Sequence, residues 1–328
     1  MLSAKKFIYS FLSLILGLFL VWLVIKRTPV NLEIVIQHLN NLNYIYVGAI
    51  LVTSLINVWI TAYKWKLTTE LIVGKNGKKQ DFYLTYIILG SLLGQFMPQQ
   101  MSMMTIQSFA MKAHSLSTVS KSLFTIIYDQ VFNVLIPALL FFPALLLIFH
   151  KISVSQAIFL SCFVLLSFYL LIHKYYKKII TYGVRFYYQI KNNTSKDNFS
   201  ISQHTIKQLT VKKKFISVCF VLATLRYFNL VLRWIFVVLA GSLNIKLFTI
   251  IFATPIIYIA MLLSITPANL GIVEWSWLGV LELFQVAEVE AVTFALLQRI
   301  LFFFSIITIS ICLFLFHLKQ YYLSYKSN

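Results

Sequence analysis

The chain has 328 residues, of which 60% are apolar and 11% charged, and its net charge is +19. That balance excludes a soluble globular domain of this length and marks a polytopic membrane protein. The apolar runs are long and lack strand alternation, so the spans are predicted to be helices and the class all-α, not a barrel.

The excess of positive charge would suit nucleic acid. Here the basic residues sit in loops beside apolar runs, which points to topology and anionic lipid headgroups, with no nucleic-acid partner. Cys162, Cys219 and Cys312 all lie inside apolar runs and read as small core residues, not disulfides or ligands. The histidines are scattered without metal-ligand spacing, and there is no Gly-rich phosphate loop or nucleophile elbow. No metal or cofactor is expected.

In chain order, residues 1–25 have a basic start and an apolar run, and Lys26-Arg27 follows without a small-residue cleavage site. An uncleaved first helix is expected. A span needs about 20 apolar residues. Six full spans are predicted near 7–25, 43–63, 121–148, 152–173, 215–240 and 291–317. Segments 82–118 and 246–286 remain, each with two shorter apolar arms around a Pro-bearing break. The breaks carry Pro98-Gln99 and Pro267 to Gly271. Pro cannot continue a helix and restricts the residue before it. Both segments are therefore predicted to be re-entrant hairpins with tips near mid-membrane.

Basic residues support that topology. Six spans with both termini cytoplasmic put Lys5, Lys6, Lys64, Lys66, Lys75, Lys78, Lys79, Lys112, Lys121, the run Lys174 to Lys214, Lys319 and Lys326 inside. Only Lys26, Arg27, Lys151 and Lys246 stay outside, a strong positive-inside bias. The expected location is the inner (plasma) membrane. The basic, tyrosine-rich stretch 174–214 has two open readings, an amphipathic helix on the inner leaflet or a solvated linker.

Sliding the chain on itself by 169 positions brings Lys64-Trp65 onto Arg233-Trp234, Pro98 onto Pro267, Gln130 onto Arg299 and Asn57 onto Arg226. Residues 1–150 and 151–328 then each read span, span, hairpin, span, inverted relative to one another within one transmembrane domain. Inverted repeats with broken helices place a site at their interface.

Few charges fall inside the spans. They are Asp129, Arg226, Arg233 and Arg299, with Glu274 in the second hairpin. By helical rise Arg226 lies roughly 16 Å into its span, and Arg299 and Asp129 each lie roughly 12 Å from an end. Arg226 and Arg233 are seven apart and share a helical face, as Asp129 and Asn133 do at four. Arg233 falls near the outer face, where its side chain can snorkel. Buried charges converge on one another or on a wet cavity. One reading is ion-pair glue between helices; the other is a polar chamber richer in arginine than in carboxylate. Such a chamber suits phosphate, through the planar guanidinium fork and helix-end dipoles. Gly90 and Gly94 form a small-xxx-small pattern for close packing of the first hairpin's arms. Met101, Met103 and Met104 read as flexible apolar lining.

The stretch Ser264 to Trp275 interrupts the second apolar segment with Pro267, Asn269, Gly271 and Glu274. At membrane depth such backbone must be buried in protein or line a wet cavity. The alternative is a surface loop with Glu274 solvated.

These residues carry a resemblance. Lys64-Trp65, Pro98 with polar residues after it, Tyr128-Asp129-Gln130, and Pro267-Ala268-Asn269-Leu270-Gly271-Ile272-Val273-Glu274 with Arg299 downstream resemble the transmembrane region of lysylphosphatidylglycerol synthases and its stand-alone, flippase-like relatives. The resemblance spans nearly the whole chain. It implies a lipid translocase handling an anionic phospholipid or a lipid-linked glycan, with membrane lipids and envelope-biosynthesis enzymes as partners. On it, Arg226, Arg299 and Arg233 bind phosphate, Asn269 contributes to the site, and Asp129 and Glu274 orient the arginines or respond to protons. Other expected roles are a non-catalytic accessory protein of envelope lipid or glycan synthesis and a small-anion secondary transporter. Where the family tends to have a Gly-Gly turn and a basic residue after the first Pro, this chain has Gln99-Gln100-Met101-Ser102, so a shared ligand specificity is not implied. The chain reaches Asn328 soon after its last span, so lysyl transfer by it is not expected and it is not read as an enzyme.

Overall fold

The computed structural model describes residues 15–23, 26, 32–74, 77–191, 213–262 and 266–326, and every regular element among them is helical. In chain order these are α1 (residues 15–23), α2 (Leu32–Asn40), α3 (Tyr44–Ile72), α4 (Gln80–Leu93), α5 (Gln99–Ala113), α6 (Val119–Ile148), α7 (Val154–Lys191), α8 (Lys213–Ala240), α9 (Leu247–Met261), a 3-10 turn at Pro267–Asn269, α10 (Ile272–Leu283) and α11 (Glu288–Lys326). Five described helices contain stretches long and apolar enough to cross a membrane: Tyr44–Ile72, Lys121–Ile148, Val154–Tyr175, Phe215–Ala240 and Glu288–Phe316. At about 1.5 Å per residue each exceeds a hydrocarbon core of about 30 Å. The protein is thus a multi-pass membrane protein. The sixth expected span, 7–25, lies largely outside the described residues; its part at 15–23 is helical.

The two leftover segments are helical hairpins, α4–α5 and α9–α10, whose arms have 14, 15, 15 and 12 residues. All four arms fall short of a full crossing. The first turns at Gly94–Met97, and Pro98 caps α5. Its arms pack as the small residues predict. A Cβ on Gly90 would meet the Met103 sulfur at 2.7 Å, and the Ser102 hydroxyl donates to the Gly90 carbonyl at 2.8 Å.

Helix starts recur at the predicted interval. Lys213 follows Tyr44, and Glu288 follows Val119, by the same 169 residues that separate Asn57 from Arg226. The helices α3 and α8 pack along each other and run antiparallel. Asn43 N–H donates to Ala240 O at 2.9 Å, Asn229 Nδ2 donates to Thr53 O at 2.7 Å, and Arg226 Nε approaches Asn57 Oδ1 at 3.5 Å. The tryptophans paired by the interval behave alike. Trp65 meets Tyr83 edge-on at 5.0 Å, and Trp234 meets Trp277 edge-on at 4.9 Å. Each anchors a long helix to an arm of the hairpin that follows it. Around Trp234 and Trp277 a large core gathers α8, α9, α10 and α11.

One boundary differs from the sequence reading. The second span was expected to end at 63, with Lys64 in a cytoplasmic loop. Instead α3 runs to Ile72 and Lys64 is 0% exposed. The cation does not end the helix because a carboxylate from α6 neutralises it, as described below. The fourth predicted span ends as expected, since the membrane-crossing stretch is Val154–Tyr175, and beyond a kink at Tyr175 (φ −109°, ψ 15°) the basic stretch is helical to Lys191, in line with the helical one of its two readings. Residues 192–212 lie outside the described residues.

Candidate functional site

The two hairpin tips touch. The Ala268 N–H of the second tip donates to Gly94 O at 3.1 Å and Met97 O at 3.3 Å in the first. Both acceptors follow the end of α4, where helical carbonyls run out of partners. Ala268 and Asn269 both have left-handed backbone, with φ of 49° and 56°. For L-residues that conformation costs of order 1–2 kcal/mol each. It turns the Ala268 and Asn269 carbonyls toward α11.

Arg299 on α11 receives them. Its Nη1 donates to Ala268 O at 2.6 Å, its Nη2 to Asn269 O at 3.3 Å, and its Nε to Glu274 Oε1 at 2.6 Å. The other Glu274 oxygen accepts the Gly271 N–H at 2.7 Å, so the carboxylate also caps α10. The Glu274 side chain is 1% exposed. It is therefore buried and charge-compensated, and the solvated-loop alternative does not hold. Asn269 is buried behind the tip, its Nδ2 donating to Met261 O at 3.2 Å. The first helix braces this tip from the far side. Trp275 Nε1 donates to Leu20 O at 2.9 Å, and a Cβ on Gly271 would stand 2.3 Å from the Leu20 Cβ. Gly271 also has φ of 81°, so both space and backbone require glycine there.

Beside the meeting tips lies a cavity of about 130 Å³ walled by α3 to α6, α8, α9, α11 and the second tip. Arg226, Arg233 and Arg299 line it, with the amides of Asn57, Gln99, Gln100, Gln130, Asn133 and Gln298. No described carboxylate does. Arg226 and Arg233 share one face of α8, as their spacing predicts, and no described carboxylate forms an ion pair with either. Arg233 does not stand apart at the outer end of its helix. It lines the cavity, and its guanidinium lies 4.4 Å from the Phe302 ring centre, a cation–π contact. Of the five N–H groups on Arg299, the second tip and Glu274 engage three nitrogens. That arginine holds the loop as much as it faces the cavity.

Asp129 does not pair with an arginine as expected. Its Oδ1 lies 3.2 Å from Lys64 Nζ, with side-chain exposures of 5% and 0%. The ammonium also donates to Asp129 O at 3.3 Å and to Asn133 Oδ1. Asn133 in turn donates to Gln130 Oε1 at 3.1 Å, so the pair connects to the cavity wall through two amides. Sequence reasoning missed Lys64 because its charge was taken as the end of the span. Its signal was present, since Lys64 falls on Arg233 at the repeat interval and Arg233 stands within a span.

The predicted residues thus divide. Arg226, Arg233, Arg299 and Gln99 line the cavity. Asp129, Glu274, Asn269, Pro98, Pro267 and Gly271 build the frame behind it. Among the described residues no group of His, Cys, Asp and Glu is arranged to hold a metal, and the three cysteines are free thiols.

Comparison with curated proteins and with solved structures gives no match for this chain. The family described as lysylphosphatidylglycerol synthase TM region matches residues 10–310. That span includes both hairpins, Lys64, Asp129, the arginines of the cavity and the Pro267-to-Glu274 tip, so the chain belongs to the lysylphosphatidylglycerol synthase TM region family.

Proposed function

We propose that this protein moves an anionic lipid or lipid-linked molecule between the leaflets of the inner membrane. Both termini are then cytoplasmic, the two hairpins are re-entrant, and the two halves are inverted repeats meeting at the cavity. One observation carries the proposal: Arg226 and Arg233 face a cavity at the meeting of two broken helices with no described carboxylate opposing them. Cations left unopposed at the middle of apolar helices are costly unless something anionic visits them. The N-terminal turn of α5 starts at the first tip, where Gln99 and Gln100 line the cavity, and its helix dipole adds positive potential there. The role makes and breaks no covalent bonds. The substrate enters when the tip contacts from Ala268 to Gly94 and Met97 part, and those contacts close behind it.

The cavity's size favours one second reading. At about 130 Å³ it is smaller than the roughly 300–1,000 Å³ of pockets that enclose larger ligands, which suits a small water-soluble anion. A proteoliposome assay separates the two. Exchange of fluorescent anionic phospholipids, lost in the double variant Arg226→Gln/Arg233→Gln, supports the translocase. Unchanged exchange in that variant removes its basis. Uptake of a soluble anion without lipid exchange selects the transporter.

A further inference from the structure

Resting on the translocase reading, in which the two tips part, we infer that they do not share the motion: the first hairpin, α4–α5, swings as the gate while the second tip stays fixed.

The second tip is tied to its surroundings by charge and by hydrogen bonds. Arg299 donates to the Ala268 and Asn269 carbonyls and to Glu274, and Glu274 accepts the Gly271 N–H. Trp275 reaches Leu20 on α1. The first tip has no such anchors. No described ion pair involves α4 or α5. Among the described residues, the hydrogen bonds at Gly94 to Pro98 stay within the hairpin, apart from the two that Ala268 donates. Thr105 and Gln130 stand 169 residues before Glu274 and Arg299. At that interval two uncharged side chains occupy the places of the ion pair that holds the second tip.

Packing weakens from the base of the first hairpin to its tip. At the base Tyr83, Ile87, Ala110 and Met111 are buried in one cluster with Trp65. At the tip Leu93, Phe96, Met97 and Met101 are each at least 40% exposed. The arms hold each other through the Ser102 hydroxyl and the Gly90 carbonyl, so they move together. A two-helix unit packed at one end pivots about that end. The position of α5 in this structure also leaves polar groups unmet. Gln107 Oε1 and Ser108 Oγ are buried without a hydrogen-bond partner, although buried polar atoms are nearly always paired. A swing that brings them to water removes the cost of burying them bare. Gln99 and Gln100 open α5 and line the cavity, so the same swing opens it.

Two measurements on the full-length protein in nanodiscs test the gate. Hydrogen exchange of the unmodified chain needs neither a ligand nor a substitution. Amides of residues 103–109 in α5 are expected to exchange at least about tenfold faster than those of residues 275–281 in α10. Spin-label distances read the direction of motion, with Cys162, Cys219 and Cys312 replaced by alanine. A Cβ added at Gly48 or Gly279 meets nothing within 4 Å, and Phe96 is exposed, so these positions accept labels. Adding short-chain phosphatidylglycerol is expected to shift the Gly48→Cys/Phe96→Cys distance by more than about 5 Å, one helical turn. The Gly48→Cys/Gly279→Cys distance is expected to stay in place. Equal protection of the two hairpins, or a second tip that moves as far as the first, overturns the gate. Exchange of fluorescent anionic lipid in proteoliposomes alongside that result leaves the translocase standing. Faster hydrogen exchange in α5 without any lipid exchange overturns the translocase and leaves the mobile hairpin.

Discussion

Asn57 and Arg226 are 169 residues apart in the chain and meet side chain to side chain, with Arg226 Nε 3.5 Å from Asn57 Oδ1. The same interval separates the starts of α3 and α8 and of α6 and α11. The pair lies midway along the antiparallel α3–α8 contact, and the cavity opens beside it. The tips repeat the pattern, since Pro98 and Pro267 share the interval and their loops are hydrogen-bonded to each other.

Removing Arg299 should affect both fold and exchange. Arg299→Ala leaves Glu274 buried without its cation and unties the Ala268 and Asn269 carbonyls. Breaking a buried pair from one side costs about 3–5 kcal/mol. Lower thermal stability in detergent and loss of lipid exchange are expected together. The double variant Arg299→Met/Glu274→Gln should recover much of the stability and none of the exchange. Exchange near wild type in the stable double variant would remove Arg299 from the proposed mechanism.

The Lys64–Asp129 pair should behave as a sealed unit. Lys64→Met strands the Asp129 carboxylate, at a cost again of about 3–5 kcal/mol. Lys64→Met/Asp129→Leu removes both charges and is expected to lie within about 2 kcal/mol of wild type, in either direction. Intrinsic fluorescence melting of purified variants checks this. A double variant as unstable as the single one would show that the charges do not compensate each other.

Gly271 and Leu20 should be coupled. Gly271→Ala places a methyl 2.3 Å from the Leu20 Cβ and imposes a φ of 81° on an L-residue. Destabilisation of about 2–4 kcal/mol is expected from the clash and the backbone together. Leu20→Ala should relieve only the steric part. A double-mutant cycle should then give a coupling of about 1 kcal/mol or more, and strict additivity would place α1 away from the second tip.

Neutralising the cavity should weaken anion binding without unfolding the protein. Arg226→Gln and Arg233→Gln remove charges that no described carboxylate balances, so neither leaves a stranded partner. Each is expected to weaken binding of an anionic short-chain lipid by about tenfold, with melting temperature unchanged or raised. Titration calorimetry with a melting control reads both. A lower melting temperature with unaltered binding would assign the arginines a structural role.

The all-helical membrane class, the positions of the long helices and the two broken hairpins were legible in the sequence. Each depends on hydropathy, proline geometry or spacing along a single chain. Those properties are local, because a stretch of apolar residues must be helical in a bilayer whatever surrounds it. The Glu274–Arg299 association was also within reach, as buried charges of opposite sign in consecutive elements have few alternatives.

The partners of the remaining charges were decided by packing. Lys64 was taken for the end of a span because a lone cation in an apolar run is costly, and only α6 lying against α3 supplies the Asp129 carboxylate that removes the cost. The same contact left Arg226 and Arg233 unopposed, turning an expected mixture of charges into a cavity lined by cations and amides. Hydropathy along the chain fixes which segments enter the membrane. Which charge meets which is settled across distances of a few ångströms between residues remote in sequence, and that geometry exists only once the helices have packed.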